Sequence, residues 1–170
     1  MAGTQASPSK LATVVNAPKP YTPQAGEKSI FLAGTVDYAA VDSGLPTWRE
    51  TITTSLSHLP ITVYNPHRRV WDFKEDINDP RFVEQTTWEM DMMDRATVVI
   101  LFIHDREEKA PVSLLELGLG ARKGKGNMVV RCPEGFWRRG NVQVVCQRFG
   151  IPMVESVEQV TKIVEKMLQL

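Results

Sequence analysis

The run Thr97-Val-Val-Ile-Leu-Phe-Ile103, followed after a polar loop by Ser113-Leu-Leu-Glu-Leu-Gly-Leu-Gly-Ala-Arg122, decides the fold. An unbroken apolar, β-branched run of this length reads as a strand covered on both faces, and the segment after it has helical composition. A covered strand feeding a helix is the βα unit of a parallel sheet. In such sheets ligands bind in the crevice beyond the strand carboxyl ends, so Glu116, near the start of the helix, stands where an acid can act on a ligand. A structural reading of the same residue stands beside this one. Ser113-x-x-Glu116 has the spacing of a capping box, in which Glu116 would accept the backbone N–H of Ser113.

The alternation of strand and helix continues outward in both directions. Ser29-Ile-Phe-Leu-Ala33 reads as a first strand ending at Gly34-Thr35, and a loop through Gly44 and Pro46 leads to a helix over 47–59 that Pro60 closes. Ile61-Thr-Val-Tyr64 is a second strand, ended by Asn65-Pro66. Residues 67–78 have no period and read as a loop over the carboxyl edge. Asp79-Pro80 supplies an N-cap and a proline at the first helical position, predicting a helix to Arg95. Beyond the central pair, Met128-Val-Val-Arg131 is a strand, 141–149 a short helix and Pro152-Met-Val154 a small strand. Ser156-x-x-Gln159 caps a last helix with Val157, Val160, Ile163, Val164 and Met167 in one stripe. Five strands joined by helices predict a doubly wound α/β fold, flavodoxin-like or Rossmann-like, with a parallel sheet in the order 2-1-3-4-5. The site then falls beside strands one and three.

Length and composition narrow the class. A chain of 170 residues with 42% hydrophobic content suits one soluble domain, and 20 basic against 20 acidic residues leave no global field to draw it to nucleic acid or to an anionic membrane. The first 27 residues, with Pro8, Pro18, Pro20 and Pro23, lack apolar periodicity and predict a disordered N-terminal tail over 1–27, leaving 28–170 as the folded domain. Cys132 and Cys146 have no metal-ligand spacing and read as reduced thiols of a cytoplasmic protein. His58, His67 and His104 are scattered, and neither G-x-G-x-x-G nor G-x-x-x-x-G-K-[ST] occurs, so neither a metal nor a cofactor is expected.

Several residues remain as candidates. Gly34-Thr35 after a strand suggests close approach of backbone to a ligand. Arg68 and Arg69 would bind an anion if both point inward, or be surface residues if not. On the predicted 79–95 helix Phe82, Val83, Thr86, Met90 and Met93 share a face by a count of 100° per residue, Glu89 lies at its border and Trp88 points outward. An outward Trp88 implies an oligomer interface or a covering loop. Gly118 and Gly120 inside a helix cost about 1 kcal/mol each against alanine, which close packing or room for a ligand would justify.

Taken together, Ile30-Phe-Leu-Ala-Gly-Thr35, Trp48-Arg49, Tyr64-Asn-Pro-His-Arg-Arg69 with Trp71-Asp72, Trp88-Glu89, Leu114-Leu-Glu-Leu-Gly118 and Arg138-Arg-Gly-Asn-Val142 resemble the nucleoside 2-deoxyribosyltransferase superfamily, in its deoxyribosyltransferase-like branch. The resemblance implies that Glu116 attacks the anomeric carbon of a nucleoside or nucleoside monophosphate, displacing the base and forming a glycosyl-enzyme ester. A helix N-terminus would keep that carboxylate ionised. Glu89 would assist departure of the base. Gly34, Thr35, Asp37, Tyr64, Asn65, Arg68, Arg69 and Asn141 would bind substrate, Asn141 in a neighbouring subunit's site, which implies a homodimer or larger homo-oligomer. The family's strand-one tyrosine, which orients the nucleophile, is here Phe31, and its aspartate six residues before the nucleophile is Ala110. Tyr64, Tyr38 or Asp37 would then supply polar contacts. An NAD glycohydrolase and a non-catalytic nucleotide-binding module are the competing readings.

Overall fold

The computed structural model describes residues 12–68, 70–105, 109–123 and 126–169. In chain order its elements are β1 (Thr13–Asn16), β2 (Lys28–Gly34), α1 (Tyr38–Ser43), α2 (Trp48–Ser55), β3 (Ile61–Asn65), α3 (Pro80–Arg95), β4 (Val98–Phe102), α4 (Pro111–Ala121), β5 (Met128–Arg131), α5 (Arg139–Phe149), β6 (Met153–Val154) and α6 (Val157–Leu168). The strands form one parallel sheet in the order β1-β3-β2-β4-β5-β6. The expected 2-1-3-4-5 arrangement is therefore present, with one strand added at the edge beside β3.

Helices cover both faces, and β2 and β4 show why their sequences are apolar without alternation. Phe31, Ala33, Val99, Leu101 and Ile103 pack with Trp88, Met92, Leu117 and Val142 of α3, α4 and α5. Ile30, Leu32, Val98, Ile100 and Phe102 pack with Ile52 of α2 and Val160 and Val164 of α6. Every residue of β4 is buried. β2 connects to β3 on one side and lies against β4 on the other, so the order of strands reverses between β2 and β4. The crevice above that pair is the topological switch point.

The segment before residue 28 departs from expectation. Residues 1–11 lie outside the described residues, but Thr13–Asn16 pairs with β3 in register from Thr13–Thr62 to Asn16–Asn65, so the sheet begins well before the expected boundary. Only Val15 of this strand is buried, because an edge strand of four residues has one neighbour and one covered face. The chain then crosses α3, where the Lys19 carbonyl accepts the Trp88 indole N–H at 2.8 Å and the Tyr21 carbonyl accepts from Arg95 at 3.3 Å. Trp88 is thus buried, at 7% exposure, under this segment. The buried residues of α3 are Gln85, Trp88, Met92 and Met93, and Met90 is exposed, so the helix is turned away from the face its apolar residues predicted.

Candidate active site

Glu116 projects from the second turn of α4 toward the switch point. Its Oε2 accepts the Gly34 backbone N–H at 3.1 Å, and its Oε1 makes no hydrogen bond among the described residues. The capping-box reading fails on register. α4 starts at Pro111 with Ala110 at the N-cap, so Ser113 is already inside the helix, and no side chain caps it. Ala110 takes the left-handed conformation, φ 46° and ψ 52°, to turn the chain into the helix.

Gly34 is the hinge of the site. Its φ of 120° and its approach to β4, where a Cβ would lie 2.1 Å from the Phe102 carbonyl oxygen, exclude any side chain. Its N–H faces Glu116, and its carbonyl accepts from Arg49 Nη2 at 2.7 Å. Arg49 also donates to the Thr35 carbonyl at 3.0 Å and the Leu32 carbonyl at 3.2 Å. The reason it points inward is local. Thr47 and Glu50 form a capping box that fixes the first turn of α2, turning Trp48 and Arg49 beneath the β2 loop. Trp48 donates its indole N–H to the Thr35 carbonyl at 2.8 Å and stacks on Phe102, ring centroids 4.7 Å apart, while the Arg49 guanidinium lies over the indole.

Glu89, half-buried on α3, completes the cluster. Its Oε1 accepts from Gln85 Nε2 at 2.7 Å, and the same nitrogen donates to the Pro66 carbonyl at 2.9 Å, tying the acid to the chain beyond β3. Burial pushes the Glu116 carboxyl up to about 7, against the pull of Arg49; Glu89 adds to the rise and the Gly34 N–H opposes it. Glu89 is also raised, chiefly by burial, with Gln85 and Arg49 opposing. Glu116 lies past the first turn of α4, where the field of the helix N-terminus acts, and burial is the largest influence on its carboxyl. Arg49 is lowered to about 10 by burial, with Glu116, Glu89 and Tyr38 opposing, and stays protonated at neutral pH.

Other expected site residues have different places. Thr35 is buried and its polar groups are occupied: the hydroxyl accepts the His104 backbone N–H at 2.9 Å, and its own N–H meets the Phe102 carbonyl. Asp37 caps α1 through Ala40 and lies 3.2 Å from His104 Nε2. Tyr64 is a core residue, fully buried against Tyr21 with its hydroxyl grouped near Ser29 at the opposite end of the sheet, because the parallel register sets it beside Phe31 on the inner face. Asn65 clamps β1, donating to Asn16 and accepting from His67. Arg68 lies over Phe73, and its buried Nη1 finds no hydrogen-bond partner among the described residues, which do not include Arg69. Phe31 is wholly buried, and the contact that orients Glu116 comes from the Gly34 N–H.

Asn141 lies elsewhere. It lines a cleft of about 320 Å³ between α4 and α5 with Leu114, Gly118, Trp137 and Val145, among others, and neither Glu116 nor Glu89 reaches it. Gly118 leaves open space on that side, while a Cβ on Gly120 would press on Met128, so the two glycines have different reasons. Arg49 and Gln85 were not expected as site residues from sequence. Trp48-Arg49 directly after a helix N-cap was the available signal for the first; nothing in sequence marks the second. Among the described residues no cluster of three or more His, Cys, Asp and Glu side chains converges on a metal-sized site, and no helix is long and apolar enough to cross a membrane.

A doubly wound sheet with paired acids above its switch point defines the class, and sequence comparison supplies the family. Residues 27–136 match the family described as nucleoside 2-deoxyribosyltransferase like, and the chain belongs to that family. The match ends before Asn141. A crystal structure of a conserved protein from Enterococcus faecalis V583 is similar in fold, with a TM-score of 0.53 at 12% identity, covering 84% of this chain and 100% of that one. A search of curated proteins gives no match.

Proposed function

We propose that the protein cleaves or transfers the N-glycosidic bond of a nucleoside or nucleoside monophosphate. The observation that carries this reading is the state of Glu116: a half-buried carboxyl above the switch point with one oxygen held by Gly34 and the other unbonded among the described residues. The free oxygen bonds to the anomeric carbon as the carbon–nitrogen bond breaks, and that electron pair leaves with the base. Glu89 gives the departing nitrogen a proton. Water or a second base then attacks the same carbon and releases Glu116. The productive arrangement has Glu116 ionised and Glu89 protonated, one proton shared by two acids, as in retaining glycosidases. Arg68, whose buried Nη1 has no hydrogen-bond partner among the described residues, favours a substrate bearing a phosphate.

The test is base release. The protein is incubated with deoxyribonucleosides, ribonucleosides, their monophosphates and NAD, with and without a second free base, and products are separated by chromatography. Release from a nucleoside or its monophosphate, abolished in Glu116→Gln, supports the proposal. Release from NAD alone assigns a glycohydrolase, and binding without release assigns a nucleotide-binding module.

We propose further that the protein forms a homodimer. Trp88 is covered within the chain and gives this no support, but α4 exposes Val112, Leu115 and Leu119, α5 exposes Val144, and Trp137, just before α5, lines the Asn141 cleft, each at least 47% accessible. A helix as apolar as α4 on its outer side is ordinarily covered. We therefore place the contact with a second copy on that face.

A further inference from the structure

We propose that Arg49 is a positioning residue for the reaction, holding the peptide that orients Glu116 and keeping a fixed positive charge behind both acids. This rests on the functional reading above but adds a residue that the reading does not use.

Three features set Arg49 apart from an ordinary buried arginine. First, its partners are neutral: the carbonyls of Leu32, Gly34 and Thr35 take one N–H from each guanidinium nitrogen. Among the described residues it forms no ion pair with Glu116 or Glu89, although both contribute to its electrostatic environment. A buried cation without a direct counter-ion is costly and calls for a reason. Secondly, Gly34 joins it to the nucleophile. One residue gives its carbonyl to Arg49 and its N–H to Glu116, so a displacement of the guanidinium tilts the peptide planes on either side of Gly34 and moves the donor that fixes Oε2. Thirdly, the hydrogen bonds among the described residues engage three of its five N–H groups, so the guanidinium is not exhausted by those structural bonds.

Standing back from the carboxylates is consistent with the chemistry. A direct bidentate pair would occupy both Glu116 oxygens and weaken the nucleophile. At a distance the charge offsets part of the burial penalty of an ionised Glu116 and leaves Oε1 free. The charged or titratable groups that act on Glu116 are Arg49 from α2 and Glu89 from α3, while Tyr38 from α1 acts on Arg49. At the same edge His104 and Asp37 are paired with each other.

Two substitutions separate the two roles. Arg49→Lys keeps the charge and loses the three-carbonyl grip, so kcat should fall about 10- to 100-fold with the acid limb of the kcat/KM profile close to its original pH. Arg49→Gln loses the charge as well, so that limb should move up by about one pH unit. Because either variant can fail to fold, the unmodified chain supplies an independent test. In NMR titration the Gly34 amide and the Arg49 Nε–H resonances should both inflect at the pH where the Glu116 carboxyl titrates, and both inflections should vanish in Glu116→Gln. Folded variants with unchanged rate and limb, or an Arg49 Nε–H that ignores the Glu116 titration, would overturn the proposal. The titration needs no substrate, so it stands apart from the functional reading, which fails instead if Glu116→Gln still releases base.

Discussion

The two sides of α4 are built on opposite principles. Toward the β2–β4 edge it presents a half-buried Glu116, where Gly34 holds one oxygen and Arg49 and Glu89 contribute to the field. Toward α5 it borders a cleft of about 320 Å³ lined largely by Leu114, Leu117, Val142, Val145 and Trp137, with Asn141 and Arg138 as polar exceptions. That cleft has no acid among its lining residues. Room alone marks a place for a side chain or ligand, whereas a reaction at an anomeric carbon needs oriented charge in a partly dry setting. The contrast is what supports placing the proposed chemistry on the Glu116 side of α4.

The sharpest way to break this contrast is to substitute one residue on each side. Glu116→Gln should lower base release by about ten-thousandfold or more, because the amide keeps the Gly34 contact but cannot form the ester. Asn141→Ala should lower it at most about tenfold, mainly through KM. Comparable losses in single-turnover assays would place the reaction between the two sides. Glu89→Gln comes next, with an expected loss of about a hundredfold for nucleosides with poor leaving bases and little loss for activated ones. Equal slowing across a series of leaving groups would make Glu89 a binding residue.

This contrast also separates what could be read in the sequence from what could not. Glu116 was legible because an apolar strand and the helix after it fix where a residue of that helix stands, whatever the loop between them does. The order of the central strands was legible for the same reason: fully buried strands are apolar throughout. β1 was not, since a four-residue edge strand with one buried side chain has neither run nor period. The direction of Trp88 is not legible because apolar residues alone do not set the facing of α3: its buried face includes Gln85, a polar residue kept there by Pro66 and Glu89. Thr35, Asp37, Tyr64 and Asn65 sit near strand ends as expected, but their polar groups serve the loops, the core and β1. Proximity in sequence to a strand terminus locates a residue to within a few ångströms and leaves its direction open.

A smaller effect concerns stability, and it runs against the usual sign for an acid. Glu116 holds its proton to about pH 7 when folded and to about 4.5 when unfolded, so between these values the native state binds more protons and stability falls as pH rises. Glu116→Gln removes that loss. Above pH 7 the Gln variant should therefore be more stable than the parent by something on the order of 1–3 kcal/mol, with the gap closing below pH 4.5. Urea unfolding at pH 4 and pH 8 measures it. A variant less stable at both values would return Glu116 to a structural role.

The smallest folding effect is expected on the outer side of α4, and it carries the most information about assembly. Leu115 and Leu119 are 63% and 47% exposed, so changing both to Gln removes little burial within one chain and should alter its unfolding free energy by less than about 1 kcal/mol. If a second copy covers this face, the same change removes four leucine side chains per dimer from the buried contact and puts amides that lack partners in their place. Sedimentation at micromolar concentration should then show a dimer for the parent and a monomer for the double variant, while unfolding of the isolated monomer is almost unchanged. Activity follows the assembly only if Asn141 serves the partner's site, which mixing tests: an excess of Glu116→Gln subunits added to Asn141→Ala subunits should then raise turnover per intact Glu116 back toward the parent's, by at most about tenfold, through sites that pair an intact acid with an intact asparagine. A monomeric parent would leave the apolar side of α4 uncovered by its own kind, and a dimer without rescue would confine each reaction to one chain.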